Sequence, residues 1–559
     1  MRRIEQFMRD RKRYYLIMFI PMFFPFLTAG MQVLLFTFTA AVPPTRCAIP
    51  ELDPKIGGAD RKFWTPEIQP DSIDVFYTNK RTDHGKDQYC FYCPNITSAG
   101  VNCTNDLAIH CDQGFIYDRS QYHWTLVMEM ELICDQGAWK RELATTFYMG
   151  GVLVGSALSG LLSDYFGRKN VFLMFAFLGI LLHHLRAVVT HYILLCILHI
   201  GSGTCAFGVY ISAFVIIIEI TSGVQRTVYG LLSSISFCIG YMLVGIVAYW
   251  IRDWRVLQLS LTAWTLLLLP YIWIMPPSMR WLMGKGRTAE VKNYLMQVAK
   301  IDGTRVSEDE LNEMIKADSI TIQEDHDIEE STIKFVDALR NFSMCRQAII
   351  VFGCWFSSSM LYYGLTLNTG TLPGNDYINF AVGAFMEVPG DIMIMFLLEK
   401  IGRKVSHSLL MIISGILVIA SAIIPIQFGW LIVTCAMLGK MCVSGAFAGV
   451  FNYTAELFPT PIRNSAVGFG SAMARVGSML APQVYLLGVY VASWLPFFIW
   501  GCIALVSGVS LLFLPETKNQ RLPETMEQAI TIAESASVPS IQCLDPTGAA
   551  RNGRDGNFG

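Results

Sequence analysis

The chain carries twelve separate apolar stretches, and as a helix about 20 such residues span the roughly 30 Å hydrocarbon core of a bilayer. The stretches are 14–42, 144–163, 170–190, 192–219, 228–250, 256–275, 346–370, 376–399, 406–425, 430–455, 463–490 and 494–514. A chain of 559 residues with 53% hydrophobic and only 15% charged residues has too few charges to coat several soluble cores. No stretch reads as a lipid-facing strand. The fold class predicted is an all-α membrane protein with twelve transmembrane helices. With 42 Lys and Arg against 44 Asp and Glu there is no basic excess for phosphate-backbone contacts, so nucleic acid is a poor partner and the lipid bilayer is the expected one.

The first stretch is too long for a cleaved signal peptide and no small-residue cleavage site follows it. Its flank at 1–13, MRRIEQFMRDRKR, holds six basic residues, which places the N-terminus on the cytoplasmic side. After the first helix at 14–42, residues 43–143 then lie outside and 144–275 complete a six-helix half. The linker 276–345 lies inside, 346–514 form the second half, and the tail 515–559 returns inside and is partly disordered. The outer segment contains Cys47, Cys90, Cys93, Cys103, Cys111 and Cys134. An even set on the oxidising side reads as three disulfides, with fifteen pairings open. Asn95 and Asn102 stand in sequons there and are candidate glycan acceptors. A zinc site at Cys90-x-x-Cys93 is the weaker reading, because no second Cys/His pair accompanies it. In the linker, Ser307-Glu-Asp-Glu310 is a capping box that predicts a surface helix.

Three motifs recur at nearly one offset. Asp164-Tyr-Phe-Gly-Arg168-Lys169 returns as Glu399-Lys-Ile-Gly-Arg403-Lys404, Glu219 with Arg226 returns as Glu456 with Arg463, and PPSMRWL returns loosely as PETK. The chain therefore reads as two pseudo-symmetric halves of six helices. Asp164, Arg168, Glu219, Arg226, Glu399, Arg403, Glu456 and Arg463 all fall at cytoplasmic helix ends, where packing of the halves would pair opposite signs as a conformational latch. The plainer reading is topology-setting charge at helix ends. Each exposed pair is worth up to about 1 kcal/mol, but a duplicated network would bias an equilibrium between two arrangements of the halves. Two halves joined by a linker are the sequence form of an alternating-access transporter with substrate held near the midplane. A channel needs no such latch, twelve helices exclude a seven-helix receptor, and no HExxH, Walker A or Ser/His/Asp signature supports an enzyme or calls for a cofactor or metal.

Four ionisable residues lie far from helix ends: Glu387, Asp391, Lys440 and Arg475. Each costs at least roughly 2.5 kcal/mol in the membrane, so each needs a partner or a ligand. Glu387 and Asp391 share one helical face, with Pro389 and Gly390 bending the helix between them. The plain reading is that the four neutralise one another. The functional reading is a cavity with a cation-binding carboxylate and an anion-binding guanidinium. Trp355, Tyr362 and Tyr363, with Phe447 and Phe451, would supply an aromatic wall suited to a quaternary ammonium, although such stripes are more often packing.

The pieces YHWTLVMEMELICDQ, LLSDYFGRK, DWRVLQL, PPSMRWLMGKGR, CWFSSSMLYYGLTLN, EVPGD and YTAELFPTPIRNSAVG carry a resemblance over almost the whole chain. The chain resembles the major facilitator superfamily, and within it the organic cation/anion/zwitterion transporter family. The resemblance implies a cation-recognition role for Glu387 and aromatic-cavity roles for Trp355 and Tyr362. Arg475, in SAMARVGS, stands where classical cation members carry Asp, and anion and carnitine-type members carry Arg. GYMLVGIVAYWIRDWR and APQVYLLGVY look most like the carnitine-type zwitterion carriers. Ala29 and Val209 stand where sodium-coupled carnitine members have Asn, and Asp391 lies outside the family pattern. The expected function is a polyspecific plasma-membrane carrier of organic cations and zwitterions, carnitine- or betaine-like. The alternatives are an organic anion exchanger using Arg475 and Lys440, and a non-transporting membrane receptor or scaffold.

Overall fold

A computed structural model of the chain describes residues 2–9, 13–14, 20–48, 80–83, 86–92, 109–111, 114–221, 224–304, 306–329, 338–520, 523 and 526–535. Twelve long helices dominate it. Ten meet length and hydropathy requirements for a membrane span: α1 (Ile20–Thr39), α2 (Gly137–Phe166), α3 (Arg168–Val188), α4 (Tyr192–Ile220), α5 (Val228–Trp250), α6 (Trp254–Ile274), α7 (Phe342–Leu367), α8 (Asp376–Lys400), α9 (Arg403–Ile423) and α10 (Ile426–Leu457). The remaining two are α11 (Thr460–Tyr490), which is long but carries Arg463 and Arg475, and the shorter α12 (Leu495–Leu511).

Local chemistry fixes where the helices start. Asp253, Asn341 and Asn375 each turn a side-chain oxygen back onto the first free N–H groups of α6, α7 and α8. Large apolar side chains such as Leu161, Ile193, Trp250, Ile423 and Val506 remain exposed, as lipid contact requires.

The duplication is visible in the packing. In the first half α1 packs on α5, α2 on α4 and α3 on α4; in the second α7 packs on α11, α8 on α10 and α9 on α10. The turns between α2 and α3 and between α8 and α9 each hinge on a glycine at positive φ, Gly167 at 88° and Gly402 at 95°, where a side chain would be strained. The halves join chiefly along α2 with α11 and α5 with α8.

Between α1 and α2 the chain builds β structure that the sequence reading did not anticipate. Four short strands, β1 (Thr45–Cys47), β2 (Lys80–Asp83), β3 (Lys86–Tyr89) and β6 (Phe115–Tyr117), form a sheet in the order β2-β3-β1-β6. A second pair joins β4 (Phe91–Tyr92) to β5 (Ile109–His110). Disulfides link Cys47 to Cys111 and Cys90 to Cys134. Cys93, Cys103, Asn95 and Asn102 lie outside the described residues. In the linker a helix runs from Glu308 to Glu329, and the Ser307 hydroxyl accepts from the Asp309 amide as a local cap.

Candidate functional site

Three of the four intramembrane charges, Glu387, Asp391 and Lys440, assemble where α8 meets α5 and α10, and Arg475 stands on α11 against α7 and α4. Pro389 has no amide hydrogen to continue the α8 ladder, and the helix breaks at Met386, so Glu387 begins its second segment. Gly390 and Gly445 let the backbones of α8 and α10 touch: a Cβ on Gly445 would sit 2.6 Å from the Gly390 carbonyl oxygen. That approach brings Lys440 to Glu387.

Glu387 is 3% exposed and Lys440 1% exposed. Lys440 Nζ lies 3.2 Å from Glu387 Oε1 and donates to the Tyr241 hydroxyl at 2.8 Å. The Tyr362 hydroxyl donates to Glu387 Oε1 at 2.8 Å, and the Cys238 thiol to Oε2 at 3.1 Å. Both Glu387 oxygens are thus bonded, and the other half supplies Cys238 to Glu387 and Tyr241 to Lys440.

Arg475 and Asp391 are treated differently. Arg475, 6% exposed, donates to the Tyr363 hydroxyl at 3.4 Å and lies 4.1 Å from the Phe207 ring centroid, while its Nε has no partner. Asp391, 5% exposed, accepts from the Ser234 hydroxyl of α5 at 2.6 Å. Among the described residues neither has an oppositely charged side chain within the 4.0 Å of an ion pair. Arg475 does not bind Glu387, and Asp391 does not serve Lys440: the intramembrane pair is Lys440 with Glu387.

The aromatic residues form a wall from α7 and α10. Trp355 is fully buried, donates its indole N–H to Thr454 at 2.9 Å and packs on Phe451 with centroids 4.3 Å apart. Tyr362 stacks on Phe447 at 5.8 Å and meets Tyr363 edge-on at 5.0 Å. Facing them from the first half, Tyr210 packs against Phe26, Phe207 and Phe237. Phe207, stacked on Tyr210, is the ring that lies against the Arg475 guanidinium. Sequence reasoning assigned no site role to Ser234, Cys238, Tyr241, Phe207 or Tyr210. The spacing of 234, 238 and 241, which puts them on one face of α5, is the signal that points to the first three.

Toward the end that carries the strands, aromatic contacts close the halves on one another. Phe38 stacks on Tyr377 at 5.3 Å and meets Phe380 at 4.7 Å, and Tyr241 meets Phe380 at 4.4 Å. The Tyr122 hydroxyl donates to Asp376 at 2.6 Å and Tyr377 to the Gln121 carbonyl at 3.0 Å. A partly open cavity of ≈ 80 Å³ lies here, lined by both halves and including Arg141, Glu142, Asp376 and Tyr485. Arg141 is held by Glu142 through its Nε at 2.6 Å.

At the other end the expected latch takes another form. Arg168 pairs with Glu219 at 3.1 Å and with Asp164 at 3.0 Å, all in the first half. Arg403 grips Glu456 at 2.9 and 3.0 Å, both in the second half. The pairs lie inside each half, not across the halves, because Glu219 and Glu456 sit at the ends of α4 and α10, beside the Arg168 and Arg403 turns of their own bundles. Arg463 Nε and Nη2 are buried without a hydrogen-bond partner, Glu399 is exposed, and the Arg226 side chain lies outside the described residues. Glu516 completes the second cluster by accepting from the Arg403 and Lys404 amides at 2.7 and 3.1 Å.

Residues 134–529 match the family described as "Sugar (and other) transporter". The chain is 32% identical to the organic cation transporter protein of Drosophila melanogaster, over 92% of this chain and 91% of that one. It is 30% identical to the organic cation/carnitine transporter 2 of Homo sapiens, over 90% and 89% of the two chains. Solute carrier family 22 member 12 of Rattus norvegicus is likewise 30% identical, over 92% and 93%. Among solved structures the partially occluded inward-open form of the E. coli xylose transporter XylE superposes with a TM-score of 0.57 at 16% identity, over 91% of this chain and 100% of that one, a likeness of fold alone. The chain belongs to the organic cation and anion transporter family of the major facilitator superfamily, and it is a multi-pass membrane transporter, not an enzyme.

Proposed function

We propose that the protein is a polyspecific carrier of organic cations and zwitterions of carnitine or betaine type, working by alternating access in the plasma membrane with both termini in the cytoplasm. One observation carries the substrate class. Lys440 neutralises Glu387, which among the described residues leaves Arg475 as a guanidinium without a carboxylate and Asp391 as a carboxylate without a cation. A ligand with one quaternary ammonium and one carboxylate supplies both missing charges. Its ammonium would sit toward Asp391, Glu387 and the rings of Tyr362 and Phe447, where cation–π attraction contributes about 0.5–2 kcal/mol. Its carboxylate would take the Arg475 fork, which suits bidentate binding.

The charge cluster is buried, and the aromatic closure at the strand end shuts one route to it. Binding and release on opposite faces therefore require the halves to rock about the contacts of α2 with α11 and α5 with α8. Lys440, Cys238 and Ser234 tie one half to the other through the site itself, so a ligand that competes for these partners weakens the same contacts that hold the closed arrangement.

Uptake of a labelled betaine, a monocation and a dicarboxylate by cells expressing the wild type, Asp391→Asn, Glu387→Gln and Arg475→Ala tests the assignment. Arg475→Ala should lose the betaine while retaining monocation uptake, and Asp391→Asn, which removes the carboxylate that Lys440 leaves free, should lose both. Intact monocation uptake in Asp391→Asn would refute the cation assignment. A second reading, an organic anion exchanger, is favoured by another observation: Arg186, 2% exposed, is a further buried guanidinium whose Nε and Nη1 lack partners, 5.6 Å from the Tyr148 ring. Dicarboxylate uptake that survives Glu387→Gln and dies with Arg475→Ala would select it.

A further inference from the structure

We infer that Asp391 is a proton-binding site and that the carrier exchanges protons for organic cations. The inference rests on the proposed cation site and adds the coupling ion. Asp391 sits in the middle of α8, 5% exposed, and among the described residues its hydrogen-bond partner is the neutral Ser234 hydroxyl at 2.6 Å.

The groups facing it give it no counter-charge. On its own helix Glu387 is acidic and already holds Lys440, the Tyr362 hydroxyl and the Cys238 thiol. From α5 come Ser234, Cys238 and Tyr241, from α4 Tyr210, and from α7 Tyr362. On α10 Lys440 is committed to Glu387 and Tyr241. On α11 Arg475 donates to the Tyr363 hydroxyl and lies over the Phe207 ring. On α9 His407 stacks on Tyr453 a turn further along, against Ile394 and Gly449.

A lone ionised carboxylate buried inside a membrane helix bundle is costly. Two ligands remove that cost: a proton, or the ammonium of a substrate. They exclude each other, because both use the same carboxylate charge. The Ser234 hydroxyl is both donor and acceptor, so it holds either protonation state of Asp391 across the two halves. The empty carrier therefore reorients with the proton bound. An arriving organic cation displaces that proton to the side from which the cation came, and after the cation leaves on the far side Asp391 takes a proton there. The cycle moves one cation one way and one proton the other. For a monocation the exchange is electroneutral; for a zwitterion it moves one net charge.

The test uses the full-length purified protein in liposomes that enclose a pH-reporting dye, with tetraethylammonium as the labelled cation. Cation uptake should raise the lumen pH at close to one proton per cation, and an acidic lumen should speed uptake several-fold. In weakly buffered detergent solution, cation binding to the same protein should release about one proton. Asp391→Asn should release none, and whatever uptake it retains should be indifferent to a pH gradient. Should Asp391→Asn fail to bind the cation, Asp391→Glu must release the proton as the wild type does. Wild-type uptake with no change of lumen pH would overturn the inference while leaving the proposed function standing, as would proton release that persists in Asp391→Asn or fails in Asp391→Glu. No uptake of any organic cation or zwitterion would instead overturn the proposed function itself.

Discussion

Replacing Lys440 by Met separates the two ways in which a buried ion pair can matter. The nitrogen lies 3.2 Å from Glu387 Oε1, with the two side chains 1% and 4% exposed. At that distance the attraction is about 5 kcal/mol for an effective dielectric of about 20. Taking both ions out of water costs several kcal/mol each, so the pair as a whole contributes little net stability. Removing one partner is another matter, because Glu387 is then a buried charge held only by Tyr362 and Cys238. That loss is about 3–5 kcal/mol. For a half of about 170 residues, where 1 kcal/mol moves the melting midpoint by about 2–4 °C, Lys440→Met should lower the midpoint by roughly 6–20 °C. Adding Glu387→Gln removes the stranded charge and should recover most of the loss. The assay is thermal unfolding of the purified protein in one detergent for the wild type, both single variants and the double variant, all at one scan rate. A double variant no more stable than Lys440→Met, or a single variant as stable as the wild type, would refute the argument that Lys440 serves to neutralise Glu387.

Arg475→Lys should raise the KM for a betaine at least ten-fold with little change for a monocation, because a lysine keeps the charge but not the fork; concentration-dependent uptake measures the split. Gly402→Ala should destabilise the second half by more than about 1 kcal/mol, since the residue holds φ at 95° and a Cβ there would meet Glu516 Oε2 at 2.6 Å; thermal unfolding reads the shift. Outside the membrane, burial would raise the Glu129 carboxyl, but hydrogen bonds from Arg255, Trp254 and Trp124 hold it below its ordinary value. A depressed carboxyl contributes stability above its unfolded value and loses it as pH falls through the folded value. The clasp between the 126–130 helix and α6 should therefore loosen only below the ordinary glutamate range, and Glu129→Gln should make stability less sensitive to acid; unfolding followed from pH 6 to pH 3 checks it.

Much of the fold is legible in the linear pattern, because a bilayer restricts the chain to apolar helices of fixed minimum length and a duplicated chain repeats its turn motifs. The spans, the two halves and the Gly167 and Gly402 turns follow from those constraints. The β structure between α1 and α2 does not, since its strands are two to four residues long and are stabilised by pairing between segments far apart in sequence. The same limit applies to the site. Composition alone marks Glu387, Asp391, Lys440 and Arg475 as costly residues that need partners, and helical spacing puts the two carboxylates on one face.

Which charge meets which is a matter of tertiary structure. The contact of Gly390 with Gly445 sets Lys440 on Glu387, and α5 from the other half delivers Ser234 to Asp391 and Cys238 to Glu387. The same packing keeps Arg168 with Glu219 and Arg403 with Glu456 inside their own halves. Sequence fixes the cost of each buried charge, because that depends on residue type and depth; the identity of its neutraliser depends on distances of a few ångströms between helices, and those exist only once the bundle has closed.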